Sequence, residues 1–167
     1  FVKKKNLIVF GFDIDPYKIS NLKKGKSYIK HITNSEIKEK ISKNLFVYNN
    51  FKNLKKVDFI ALCLPTPVSS KKVPDLSYIR ITLEKISKFL KKNQTLSLES
   101  STYPGTTKEI IVDRLKRKFD VGKNFHVVYS PEREDPGSNF KLEKIPKIVS
   151  GYSKKCLKKG EKFYSLI

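Results

Sequence analysis

The chain has 167 residues, enough for one domain with a real core, and 36 Lys and Arg against 16 Asp and Glu give it a formal charge of +20. That balance suits an anionic partner such as a nucleic acid, a nucleotide or a membrane surface, yet the lysines are spread over every segment and lack the aromatic interleaving of a single-strand platform. Cys63 and Cys156 are too few and too far apart for a metal cluster or a disulfide framework, and no apolar run approaches a membrane span or a signal peptide.

Leu7 to Ile14 is a short, nearly continuous apolar run, the pattern of a strand buried on both faces. Asp15-Pro16 supplies an N-cap and a first-turn proline for a helix from Tyr17 to Lys24, ended by Gly25. Thr33 with Glu36 makes a capping-box pattern for a second helix to about Lys43. Leu45 to Tyr48 reads as a small strand, and Val57 to Leu64 as a buried one stopped by Pro65 and Pro67. Cys63, inside that run, reads as a small core residue. Val68 to Pro74 looks like a mobile loop. Asp75 caps the next helix, in which Leu76, Ile79, Leu83, Ile86 and Leu90 form one apolar stripe. Thr95 to Leu98 is a strand, and Thr106 with Glu109 is a second capping-box pattern, opening a helix to about Lys118. Phe125 to Tyr129 and Lys147 to Val149 read as strands, and Ser153 to Leu166 as the final helix. Strands alternating with helices predict an α/β fold with a parallel sheet covered on both faces.

Lys, Asn, Ile, Phe and Tyr, all encoded by AT-rich codons, are abundant, so genome composition can explain much of the charge. The default location is cytoplasmic. The chain begins at Phe1 without an initiator methionine and ends on Ile167 within a helix-like run, as expected of a fragment of a longer protein.

The strand ends carry the chemistry, because ligands of open α/β sheets bind beyond the carboxyl ends of the strands. The first strand ends in Phe12-Asp13-Ile14-Asp15. An acid in that position hydrogen-bonds the ribose hydroxyls of an adenosine and disfavours a 2′-phosphate, which makes Asp13 a candidate for NAD binding. A turn-forming role for Asp13 is the alternative. The Gly-x-Gly-x-x-Gly fingerprint would lie roughly 20 residues earlier, and only 12 residues precede Asp13. Thr66 sits between two prolines, as a ligand-facing hydroxyl or as part of a rigid turn. Glu99 to Thr107 places hydroxyls, Ser101 and Thr102 among them, ahead of a helix N-terminus, a natural site for an anion or an ordered water. Ser130-Pro131-Glu132-Arg133-Glu134-Asp135-Pro136-Gly137 sets three carboxylates and an arginine on a proline-bounded loop.

Taken in order, these stretches resemble the UDP-glucose/GDP-mannose dehydrogenase family, and within it the branch that oxidises UDP-N-acetyl-hexosamines. The resemblance rests on Gly11 to Pro16, Ser27 to Ile32, Leu64 to Pro67, Pro74 to Tyr78, Glu99 to Thr107 and Ser130 to Gly137. It implies a Rossmann-like, doubly wound parallel sheet over residues 1–167, truncated at its N-terminus so that the first strand and the Gly-rich loop are missing. It implies NAD as cofactor, a UDP-sugar as substrate and a homodimer formed through regions outside this chain. Such an enzyme oxidises a C6 alcohol to a carboxylate in two hydride transfers, through a thioester on a cysteine in a later domain. Neither Cys63 nor Cys156 matches that cysteine, so the chain alone is not expected to be active. By resemblance Asp13 binds the adenosine ribose and Lys18 stands at a basic cofactor contact. Thr66 and Ser101 line the NAD site, Thr102 holds the catalytic water, and Glu132 is an acid/base group near C6. Glu134 and Asp135 receive no role, and Arg133 is expected to pair with a carboxylate or phosphate. A basic α/β module for nucleic acid is the alternative, motivated by charge, and a hydroxyacid dehydrogenase a more distant one.

Overall fold

The computed structural model describes residues 7–29, 32–70, 72–132 and 146–166. The chain divides after Lys56 into two compact units.

In the first unit β1 (Val9–Phe12) pairs in parallel with β2 (Leu45–Tyr48), Val9 opposite Leu45 and Phe12 opposite Tyr48. A parallel pair needs a crossover, supplied by α1 (Pro16–Lys23) and α2 (Asn34–Lys40). Both helix starts follow from the sequence. Asp15 Oδ1 accepts from the Tyr17 N–H at 2.8 Å just ahead of Pro16, and Thr33 and Glu36 form the reciprocal capping box. After α1 the chain turns at Gly25, whose φ of +69° lies in the left-handed region that only glycine adopts cheaply. Ile19, Leu45 and Val47 form a small core, with Val9, Leu22 and Ile41 against it. The expected first strand shrinks at both ends: Ile8 and Ile14 are exposed, so their apolar character does not extend the ladder.

The second unit holds a four-stranded sheet in the order β3 (Phe59–Leu62), β4 (Thr95–Leu98), β5 (His126–Tyr129), β6 (Ser150–Gly151). The first three strands are parallel and end level with one another, Leu62 opposite Leu98 and Leu98 opposite Tyr129. All of β4 is buried, as a parallel strand covered on both faces must be. The stripe on α3 (Ser77–Ser87) buries Ile79, Leu83 and Ile86. A π-helical stretch, Thr107–Val112, runs into the short α4 (Asp113–Leu115) and buries Ile110, Ile111, Val112 and Leu115. In α5 (Lys154–Tyr164) the Ser153 hydroxyl accepts from the Cys156 N–H, closing the start of the helix.

Several expectations are corrected. The last strand is β6, not Lys147 to Val149, and it runs antiparallel to β5. Asp75 accepts from the Ser77 N–H at 2.8 Å, but the residue at the cap position is Leu76. Thr106 makes no capping bond; its backbone is already helical and its hydroxyl donates to Tyr103 O at 2.8 Å. Val68 and Pro74, the two ends of the stretch expected to be a mobile loop, are joined by an antiparallel bridge, with Ser69 N–H on Val73 O at 2.9 Å and Asp75 N–H on Pro67 O at 2.8 Å. Cys63 lies just past β3 and is exposed, because the strand ends one residue before it. Arg133, Glu134 and Asp135 lie outside the described residues.

Gly151 fixes the approach of β6 to α5. A Cβ there would fall 2.2 Å from Leu157 N and 2.7 Å from Leu157 Cα. Those are helix backbone atoms and cannot swing aside. Gly151→Ala is expected to destabilise the protein by about 3 kcal/mol, read as a lower urea midpoint; an unchanged midpoint would show that β6 and α5 separate without cost.

Candidate functional site

In the second unit the level ends of β3, β4 and β5 run into polar loops that hydrogen bonds tie together. The Leu64 N–H donates to Ser100 Oγ at 3.0 Å, and that hydroxyl donates back to Leu64 O at 2.6 Å. Thr66 Oγ1 donates to Ser101 O at 2.9 Å. Ser130 N–H reaches Leu98 O at 3.0 Å, and Glu132 N–H reaches Glu99 O at 2.9 Å. Pro65, Pro67 and Pro131 restrict φ at the same turns. The main chain at Thr66, Ser101 and Glu132 is therefore set before any ligand arrives. With its proton committed to Ser101, the Thr66 hydroxyl can accept from a ribose hydroxyl but cannot donate to a phosphate. Ser101 is exposed and Thr102 half-buried beside it.

Behind these loops lies a carboxylate for which sequence reasoning found no role. Glu99 is buried, with 6% of its side chain exposed. Its Oε1 accepts from the Ser97 hydroxyl at 2.7 Å and from the Tyr164 hydroxyl, and its Oε2 accepts from the Lys147 ammonium at 2.9 Å. The Ser97 and Tyr164 hydroxyls lie 2.8 Å apart. Lys147 also donates to Glu132 Oε2 at 3.1 Å. Burial pulls the pKa of Lys147 down, but the hydrogen bonds and charges of Glu99 and Glu132 outweigh that and leave it raised. Burial, and then the hydrogen bond to Glu99, push the Tyr164 phenol far above its usual range, so it stays a neutral donor. Desolvation by its surroundings, followed by the charge of Glu99, raises the thiol of Cys63, which disfavours a reactive thiolate.

Glu99 carried one local signal, a carboxylate closing an otherwise apolar strand; Lys147 and Tyr164 carried none. Their proximity is purely tertiary.

In the first unit Asp13 follows β1, with its N–H on Tyr48 O at 3.3 Å. Its Oδ1 accepts from the Asp15 N–H at 2.9 Å and its Oδ2 pairs with Lys18 Nζ at 3.3 Å. That hydrogen bond, then the charge of Asp13, raises the pKa of Lys18. Asp15 turns to the helix cap, as expected. The structure thus brings Asp13 and Lys18 together in one unit, and ties the Thr66 and Ser101 loops together in the other. A carboxylate so oriented at the end of a parallel strand fits the diol of an adenosine ribose. Among the described residues no group of three or more His, Cys, Asp or Glu could hold a metal ion, and no helix is long and apolar enough to cross a membrane.

Parallel strands, helical crossovers and polar loops at the strand ends define an α/β dinucleotide-binding domain of the Rossmann type. The chain belongs to the UDP-glucose/GDP-mannose dehydrogenase family, whose NAD-binding domain it matches over residues 1–167. NAD is accordingly the cofactor of this domain. Protein CapL of Staphylococcus aureus is 34% identical over 162 residues, covering 95% of this chain and 38% of that protein. The UDP-N-acetyl-D-glucosamine 6-dehydrogenase of Pseudomonas aeruginosa is 34% identical over 154 residues, covering 90% and 36%. The UDP-N-acetyl-mannosamine dehydrogenase Cap5O of S. aureus superposes with a TM-score of 0.86 at 27% identity, over 98% of this chain and 40% of that one. The chain thus spans well under half the length of the relatives it matches. None of these relatives supports a nucleic-acid module.

Proposed function

We propose that this chain is the NAD-binding part, over residues 1–167, of a UDP-N-acetyl-hexosamine 6-dehydrogenase. It would oxidise the C6 alcohol to a carboxylate in two steps, consuming two NAD. The observation that carries the reading is the disposition of Glu132. Its backbone is pinned to the end of β4 and its carboxylate is held by Lys147, one strand over from Ser101 and Thr102. The names of the relatives from P. aeruginosa and S. aureus support an N-acetylated sugar.

NAD, when bound, accepts the hydride removed from the substrate. Asp13 holds its adenosine ribose, with Lys18 at its side. Thr66 and Ser101 line the cofactor site. Thr102 orients a water, and Glu132 takes a proton from that water as it attacks the C6 thioester and passes it to the departing thiolate as the C–S bond breaks, the role a positioned carboxylate fills in acyl hydrolysis. The nucleotide sugar and the cysteine nucleophile are held by residues beyond this chain, in a cytoplasmic homodimer.

The test is stoichiometric. The full-length protein should form two NADH per sugar consumed with UDP-N-acetylglucosamine or UDP-N-acetylmannosamine. A yield of one NADH, or turnover of neither sugar, would overturn the reading.

A further inference from the structure

We propose that Lys147 is a positioning residue, which fixes the carboxylate of Glu132 by linking it to the buried Glu99. The inference rests on the acid/base role given to Glu132 above.

The three side chains form a gradient from interior to solvent: Glu99 is 6% exposed, Lys147 31% and Glu132 52%. A buried carboxylate needs hydrogen-bond partners for both oxygens, and Glu99 has them from three places. Ser97 comes from β4 itself, Tyr164 from the last turn of α5, and Lys147 from the segment leading into β6. Glu99 is therefore the immobile member. Lys147 is ordered by its bond to Glu99 before it meets Glu132.

That order of events matters energetically. A surface ion pair contributes little, because two long side chains must be frozen for a screened attraction. Here one of the two is frozen already. Glu99 also grips Glu132 at both ends. Its carbonyl accepts the Glu132 N–H at 2.9 Å, and its carboxylate holds the Glu132 carboxylate through the shared ammonium, at 2.9 and 3.1 Å. A half-exposed glutamate is thereby held in one direction, as acid/base work requires.

The experiment uses the full-length protein with NAD and whichever UDP-N-acetyl-hexosamine it turns over. Lys147→Met should lower kcat by about 10- to 100-fold through misplacement of Glu132, leave the KM for NAD within about 2-fold, and move the acidic limb of the kcat–pH profile upward, because the neighbouring cation is gone. Lys147→Arg keeps a cation able to bridge both carboxylates and should restore most of kcat and the limb. If Lys147→Met does not fold, Lys147→Gln keeps a donor for Glu99 and carries the same comparison. Wild-type kcat and pH profile in Lys147→Met refute the proposal. So does a loss that Lys147→Arg fails to rescue. Glu132→Gln is measured alongside. If it turns over normally, the role of Glu132 falls; if it is inactive while Lys147→Met is normal, only the positioning role falls.

Discussion

Glu132→Gln in the full-length protein is expected to lower kcat by about 10²- to 10⁴-fold, the usual worth of a general acid/base, with the KM for NAD nearly unchanged. The substitution keeps the size and shape of the side chain. It also keeps the backbone N–H on Glu99 O and an acceptor for Lys147. What it removes is the ability to take up and release a proton. Because the side chain is half-exposed, losing its ion pair should change stability by no more than about 1 kcal/mol. A fall in turnover without a fall in the urea midpoint therefore reports chemistry and not folding. Glu132→Asp, which retains the proton but retracts it, should fall between the two. Turnover equal to wild type in Glu132→Gln would remove the carboxylate from the mechanism.

Asp13→Asn is expected to raise the KM for NAD by about 10- to 100-fold, the range for loss of hydrogen bonds to a charged group, and to raise the relative use of NADP. The Asp13 carboxylate is oriented by the Asp15 N–H and by Lys18. A bound ribose therefore meets acceptors already aimed. An asparagine still accepts from Asp15 N–H but presents donors where the ribose hydroxyls also donate. It removes the negative charge that opposes a 2′-phosphate and leaves Lys18 without its counter-ion, ready to meet that phosphate. The check is steady-state kinetics with both cofactors. An unchanged NAD to NADP ratio would return Asp13 to the role of a turn former.

Local features of the fold were legible because they have local causes. The Asp15-Pro16 start, the Thr33 and Glu36 box, the stripe of Ile79, Leu83 and Ile86, and β2 and β4 at their full extents depend on residues within a few positions of one another. Errors arose where the same residue type serves two ends. Thr106 and Glu109 have capping-box spacing, yet Thr106 is buried and its hydroxyl bonds to Tyr103 O instead. Cys63 sits in an apolar run, yet the ladder stops before it. Ser150 and Gly151 have little strand propensity and are drawn into the sheet by pairing with Tyr129 and Val128.

By itself the sequence determined the family, the alternation of strand and helix, and which strand ends carry polar loops, because turns, caps and periodicity are written in near neighbours. Only the tertiary structure decided how the site is held. Lys147 lies 48 positions from Glu99, and Tyr164 lies 65 positions from it. No spacing or propensity encodes such a meeting. It follows from burying a carboxylate at the end of a covered strand, where the desolvation of its charge must be offset by whichever donors the packed helix and the edge of the sheet bring within reach.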